Sequence, residues 1–599
     1  MNFRTTLIIF VVFALFGGVY LLFLQPGPDA EKSDGLREKI SETYHLNKDS
    51  IRQMRLSFKD ESYRPLTLTK SADSGWQLTA PITVDADSAK VNEMLNDLLN
   101  KRVKKTIEVT TLSQYGLDPP TIRVELWTES ENPAKTFLIG DKTINYSVYT
   151  KEESEPQVIL IESSALDDLT KSASDLRDRT VLKFAPEQVS ELTLRVAGQA
   201  EIRCQKHDER QWKLIQPVQA KADAKEIESI LTALNTLKVA TFEADGESNL
   251  AKYGLEAPRL RINLKQAQNS SQTLLIGRDT DTTDRVYASS SVDQVPSGAY
   301  AIYALNKDIH TTLHKTVFDL RDKRVIDFQR TSTNRFEIQQ GGQKIVCETD
   351  NGTDWKIKEP VALEADPAAV DNLLFGVDAL KAVAFVSDRP KSLQPYGLDR
   401  PSIKVSFMTS DAEPTVFLVG NQKGDNVYVK AQNAEPVSLV KKGILDLVGM
   451  GVAGLRHKQV LNFSIDDPVR LTLIHGKVNL TCQRQGINWR LTHPVKENAK
   501  NDEVNSIMYE VNGLTVTKFF ATSPPPARTG LDAPDIQLSI VLKSQKEYAL
   551  QIGKSHESNG YYARLRNAPD TVFLLKSDLP DKLKKTVKDL RSDSGNGDL

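Results

Sequence analysis

Three cysteines in 599 residues are too few and too scattered to frame a disulfide-built fold. Cys204, Cys347 and Cys482 stand 8, 8 and 7 residues ahead of Trp212, Trp355 and Trp489, and Leu68 fills the same place ahead of Trp76. They therefore occupy equivalent sites in different copies of one unit, which predicts a buried strand position where cysteine acts as a small hydrophobe. Net charge is also lacking. With 77 basic and 79 acidic side chains the formal charge is −2, and no long block carries one sign, which argues against nucleic acid as the main partner. Catalytic signatures are missing as well: there is no Gly-x-Ser-x-Gly elbow, no phosphate loop of the Gly-x-x-x-x-Gly-Lys-Ser/Thr type, and no Cys-His arrangement for nucleophilic attack.

What the chain does contain is a pattern that occurs four times. Trp76, Trp212, Trp355 and Trp489 are each followed five places on by Pro81, Pro217, Pro360 and Pro494. A Gly-Leu-x-x-Pro step comes next, from Gly116, Gly254, Gly397 and Gly530, and Gly140, Gly277, Gly420 and Gly553 then close an apolar run. Each copy ends in Leu-Arg, at Leu176-Arg177, Leu320-Arg321, Leu455-Arg456 and Leu590-Arg591. Periods of 136, 143 and 134 residues between the tryptophans are too long for a solenoid and match the size of separate globular domains. The copies are placed at 46–178, 179–323, 324–458 and 459–591, with 592–599 as a frayed tail.

Ahead of them, Leu7 to Leu24 is an uncharged apolar run of 18 residues, close to the roughly 20 needed to cross a bilayer. It exceeds the core of a cleaved signal peptide, and neither an Ala-x-Ala site nor a lipid-accepting cysteine follows it. Arg4 precedes the run and Asp29, Glu31 and Asp34 follow it, so the amino terminus is expected in the cytoplasm. Residues 1–25 therefore read as an uncleaved transmembrane signal anchor in the cytoplasmic (inner) membrane and 26–45 as a linker. The bulk of the chain is expected to be periplasmic or otherwise extracytoplasmic.

Within each copy, alternating runs such as Glu191 to Val196 predict half-buried strands, and the proline after each tryptophan strand stops the ladder. Asp223 is placed to cap a helix whose Ile227, Ile230, Leu231, Leu234 and Leu237 share one face. Val91, Met94, Leu95 and Leu98, then Val370, Leu373, Leu374 and Val377, then Val504, Ile507, Met508 and Val511 repeat that design. A terminal helix, such as His310 to Leu320, closes the unit. The fold class is α+β: roughly seven mostly antiparallel strands with one packed amphipathic helix and one terminal helix per repeat.

The residues that invite a chemical reading have plainer ones. The tryptophans lie on alternating strands with an apolar residue two places on, which favours the core over ligand stacking. Tyr-Gly-Leu, which becomes Thr529-Gly530-Leu531 in the last copy, reads as a turn. His310 and His314 have a metal-compatible spacing, but no Glu or third ligand accompanies them. Asp279, Asp281 and Asp284 lack the glycine and glutamate of a calcium loop. The glycines at 140, 277, 420 and 553 are explained by strand-ending turns. No catalytic, cofactor-binding or metal-ligating residue is singled out, and no cofactor is expected.

Taken as a set, the Trp-x-x-x-x-Pro, Tyr-Gly-Leu-x-x-Pro, apolar-Ile-Gly, Val-Tyr and Leu-Arg-Asp motifs resemble an uncharacterised bacterial family, domain of unknown function 4340. The fourth copy departs most, with Thr529 for tyrosine and Ser592 after Leu590-Arg591. The resemblance implies a membrane-anchored envelope protein and an association with transport systems of the ABC type, and it brings no catalytic residues. The expected role is a non-enzymatic scaffold or interaction component of the cell envelope. The alternatives are a multivalent glycan- or peptidoglycan-binding protein and a hydrolase or metalloenzyme in one diverged repeat.

Overall fold

The computed structural model describes residues 37–592, apart from 72–74, 209, 248, 267–269, 283, 293–299, 411 and 521. The apolar run Leu7 to Leu24 lies outside the described residues. Among those described, no helix is long and apolar enough to cross a membrane. The chain divides between Arg321 and Asp322 into two compact units, and each unit carries two repeats.

Repeat 1 shows the plan. Its strands are β1 (Gln53–Phe58), β2 (Leu66–Ser71), β3 (Gly75–Ala80), β4 (Val84–Asp85), β5 (Lys105–Ile107), β6 (Ile122–Trp127), β7 (Lys135–Lys142), β8 (Ser147–Glu152) and β9 (Val158–Glu162). Its helices are α1 (Ile40–Thr43), α2 (Ser88–Asn100), α3 (Ser164–Leu169) and α4 (Ala173–Leu176). The strands form one sheet in the order β4-β3-β2-β1-β6-β7-β8-β9-β5, and the other three repeats have the same nine-strand order. Every pairing is antiparallel. Two meanders therefore meet at β1 and β6, with Met54 opposite Leu126 and Leu56 opposite Val124. The alternation along each strand sends these residues to one face, and α2 covers that face on its way from the β4 edge to the β5 edge.

Asp87 caps α2 by accepting from the amides of Ala89 and Lys90, and the helix buries Val91, Met94, Leu95, Leu98 and Leu99. Asp223 caps the long helix of repeat 2 and Asp366, with Pro367 at the first turn, caps that of repeat 3. Lys500 stands there in repeat 4 and makes no side-chain cap. These faces meet the sheet in one apolar core per repeat.

The sheets hold nine strands where seven are expected. The additional ones are the short pieces either side of the long helix, β4 and β5 in repeat 1, which are too brief to show an alternation. The terminal helix is also divided. In repeat 2 it is Asp308–Leu313 followed by Val317–Leu320, because Thr316 and Asp319 form a capping box that starts a second helix. Residues 38–44 read as linker in the sequence but pack into repeat 1: Ile40 is fully buried and the Tyr44 ring meets Phe137 edge-on at 5.2 Å.

The two glycine motifs turn out to be one contact. Gly140, Gly277, Gly420 and Gly553 lie inside strands, at breaks in the pairing register, and not in strand-ending turns. The Tyr-Gly-Leu turn folds against this point, with its own glycine in the left-handed region (φ 69° at Gly254). A Cβ on Gly277 would come within 2.2 Å of the Tyr253 carbonyl oxygen, so close backbone approach requires glycine there.

Candidate functional site

The residues with a possible chemical role are mostly occupied by the fold. The four repeat tryptophans are 1–3 % exposed. Trp76 Nε1 donates to Asn92 Oδ1 at 3.0 Å and Trp489 Nε1 to Asn505 Oδ1 at 3.1 Å. Their rings belong to the cores and offer no stacking platform. The tyrosines of the Val-Tyr motif instead meet those of the Tyr-Gly-Leu turn on the opposite face of the sheet, with ring centres 4.8 Å apart for Tyr115/Tyr149, 5.0 Å for Tyr253/Tyr287 and 5.2 Å for Tyr396/Tyr428. In repeat 4, where threonine replaces the first tyrosine, Phe520 stacks on Tyr562.

Cys204, Cys347 and Cys482 are buried and free, opposite Leu192, Phe336 and Leu471 on the neighbouring strand. Burial pushes their thiols up to about 12, 12 and 11. The His310 and His314 rings lie 5.3 Å apart, and His310 is held below its usual range chiefly by burial and then by His314. Among the described residues no group of three His, Cys, Asp or Glu is gathered to hold a metal. Asp279 is engaged by Arg259 at 2.5 Å and Lys307 at 2.7 Å, Asp281 lies near Arg278, and Asp284 near Arg285. The three carboxylates thus face basic side chains and do not converge as calcium ligands.

The most elaborate side-chain chemistry lies where one repeat passes into the next. Leu176 closes the core of repeat 1, and its carbonyl accepts from the Asp87 amide at 2.8 Å. Arg177 pairs with Ala86, and the Asp178 amide donates to the Asp85 carbonyl. Two residues later the chain changes sheets: the Arg179 carbonyl accepts from the Val239 amide, and Thr180 pairs with Lys238 of repeat 2. No spacer intervenes, so the backbone stitches the two sheets together.

The Arg177 side chain secures this seam. Its guanidinium lies 4.0 Å over the Phe242 ring centre and reaches both oxygens of Asp245 at 2.8 and 3.0 Å, with Phe242 and Asp245 both on repeat 2. Lys183 of repeat 2 returns to Asp85 of repeat 1 at 2.6 Å. Repeats 3 and 4 are joined likewise. Arg456 pairs with Ala365, Gln459 pairs with Thr515, and the Arg456 guanidinium lies 3.8 Å over the Phe519 ring. Burial holds that guanidinium below its usual range. A cavity of about 540 Å3 lies beside this second seam, lined by Trp355, Glu364, Arg456 and His457 among others.

The Leu-Arg end signature is visible in the sequence as a repeat boundary, but its aromatic partner was missed. A signal for it exists: Phe242, Phe385 and Phe519 each lie 30 residues after their repeat tryptophan in repeats 2 to 4, and Thr106 stands there in repeat 1.

Fold and seams together define a class, a tandem array of α+β repeats joined in pairs without spacers. The profile of a family described as a domain of unknown function, DUF4340, matches residues 76–242, 212–354, 355–534 and 489–594. The chain belongs to this family, four times over, and its first match runs through the seam to Phe242. No curated protein matches the chain.

Proposed function

We propose that the protein is a non-enzymatic scaffold of the cell envelope, anchored in the cytoplasmic membrane by Leu7 to Leu24, whose extracytoplasmic repeats present surfaces to other envelope proteins as an accessory part of an ABC-type transport system. The observation that carries this is the stitched seam: Arg177 on Phe242 and Asp245, and Arg456 on Phe519, fix neighbouring repeats to each other as a spacer element requires. The repeats keep one core pattern and vary in the loops that follow Gly140, Gly277, Gly420 and Gly553, where partner-specific contacts belong.

Crosslinking in the native envelope followed by mass spectrometry tests the role. Specific links from more than one repeat to the same envelope proteins are expected, and a gently solubilised sample that yields no specific partner counts against a scaffold. Protease added to spheroplasts tests the topology: the repeats should be cut from outside, and their protection in intact spheroplasts would contradict the proposed orientation.

A further inference from the structure

Between α2 and the α3/α4 pair of repeat 1 lies a cavity of about 490 Å3, within the usual range of small-molecule sites. Met94 and Leu176 contribute its apolar lining, and Lys90, Lys171, Glu93, Asp97, Asp168 and Asp175 its charges. Repeat 4 shows what the same framework does when these positions pair. There Glu503 and Lys585 meet at 2.7 Å and Glu510 and Lys582 at 2.8 Å, so two ion pairs tie the long helix to the closing turn. Repeat 2 keeps the first pair, with Lys315 on Glu226 at 3.0 Å.

In repeat 1 both pairs are replaced by like charges. Lys90 and Lys171 stand where repeat 4 has Glu503 and Lys585, and Asp97 and Asp168 stand where it has Glu510 and Lys582. The lysines turn to backbone carbonyls, Lys90 Nζ to Asp175 at 3.1 Å and Lys171 Nζ to Asp167 at 3.0 Å. Asp168 is held by Lys101 at 2.7 Å, whereas Asp97 and its neighbour Glu93, one turn earlier on α2, have no hydrogen-bond or ion-pair partner among the described residues. Two like charges that replace an ion pair repel each other unless an opposite charge is supplied from outside. One cavity therefore offers a cationic corner, where Lys171 has the Asp175 carboxylate near it, and an anionic corner, where Asp97 and Glu93 have no basic partner among the described residues.

We propose that this cavity binds a small zwitterion, a free amino acid or a dipeptide, with its carboxylate between Lys90 and Lys171 and its ammonium against Asp97 and Glu93. The ligand's two charges restore the two pairings that repeat 4 makes internally, and its apolar part lies on Met94 and Leu176.

Titration calorimetry on the full chain in detergent tests this with alanine, lysine, glutamate and alanylalanine, beside N-acetyl-alanylalanine and alanylalanine amide. At least one of the free zwitterions should bind saturably, and each blocked dipeptide at least about tenfold more weakly than alanylalanine, since each loses one charge-assisted contact. Lys90→Glu rebuilds the pair found in repeats 2 and 4, so it should leave the melting temperature equal or higher while abolishing binding. Asp97→Ala, the residue of repeat 2 at that place, should remove the preference for a free ammonium. Absence of saturable binding by every zwitterion, equal binding of the blocked dipeptides, or full binding by a stably folded Lys90→Glu protein would each overturn the proposal.

Discussion

The seam between repeats 1 and 2 and the seam between repeats 3 and 4 differ in one respect that can be measured. Arg177 has both an aromatic face and a carboxylate, whereas Arg456 has the face of Phe519 and no carboxylate partner among the described residues. Replacing Arg177 by methionine keeps an apolar stem over Phe242 but removes the cation–π contact, about 1 kcal/mol when partly buried. It also removes the bidentate pair to Asp245. That carboxylate is 40 % exposed, so solvent screening limits the pair to about 1 kcal/mol or less. The expected cost is about 1–2 kcal/mol. At Arg456 the same substitution loses the cation–π contact but relieves the desolvation of a guanidinium that burial already disfavours, so the two effects offset to within about 0.5 kcal/mol. Urea unfolding of the full-length variants reads the difference, and high salt should shrink only the Arg177 effect. Equal costs at the two sites, or an Arg177 cost that salt leaves unchanged, would refute the assignment of Asp245 as the distinguishing partner.

Three further outcomes are expected. Gly277→Ala should destabilise repeat 2 by at least about 1–3 kcal/mol in thermal unfolding, because its Cβ would meet the Tyr253 carbonyl, a backbone atom with little room to yield. Asp223→Ala should cost about 1 kcal/mol by removing the cap on the long helix, and Lys500→Asp in repeat 4 should return a similar amount. Cys204, Cys347 and Cys482 should resist iodoacetamide in the folded protein and react on denaturation. Because burial raises the folded thiols from the usual 9.0 to about 11 or 12, their contribution to stability is intact below pH 9 and is lost as pH rises through those values. Labelling of native protein at pH 8 would contradict the burial.

The sequence is most informative where a pattern is long enough to have a period. Ile227, Ile230, Leu231 and Leu234 mark their helix because one face must be apolar to cover a sheet, and the structure buries those four. Equivalent cysteines and tryptophans are legible as core positions for the same reason. Two-residue strands such as Val84–Asp85 carry no period and are fixed only by what they pair with, here Gln77 and Leu78 across the β3 edge. Gly277 reads as a turn because its constraint comes from Tyr253, distant in sequence and adjacent in space. The cavity of repeat 1 escapes any scan for motifs, since Lys90 and Asp97 are ordinary surface residues of a helix. They acquire meaning only beside Lys171 and Asp168, and against the ion pairs of repeat 4.

The central claim is that adjacent repeats are held as fixed neighbours by stitched seams, and pulsed electron spin resonance across the first seam tests it most directly. Nitroxide labels at Asn145→Cys in repeat 1 and Glu228→Cys in repeat 2, with the native cysteines buried, should give a single narrow distance distribution that broadens in Arg177→Ala. A broad or multiple distribution in the otherwise unaltered protein would show repeats that swing independently, and would contradict the account.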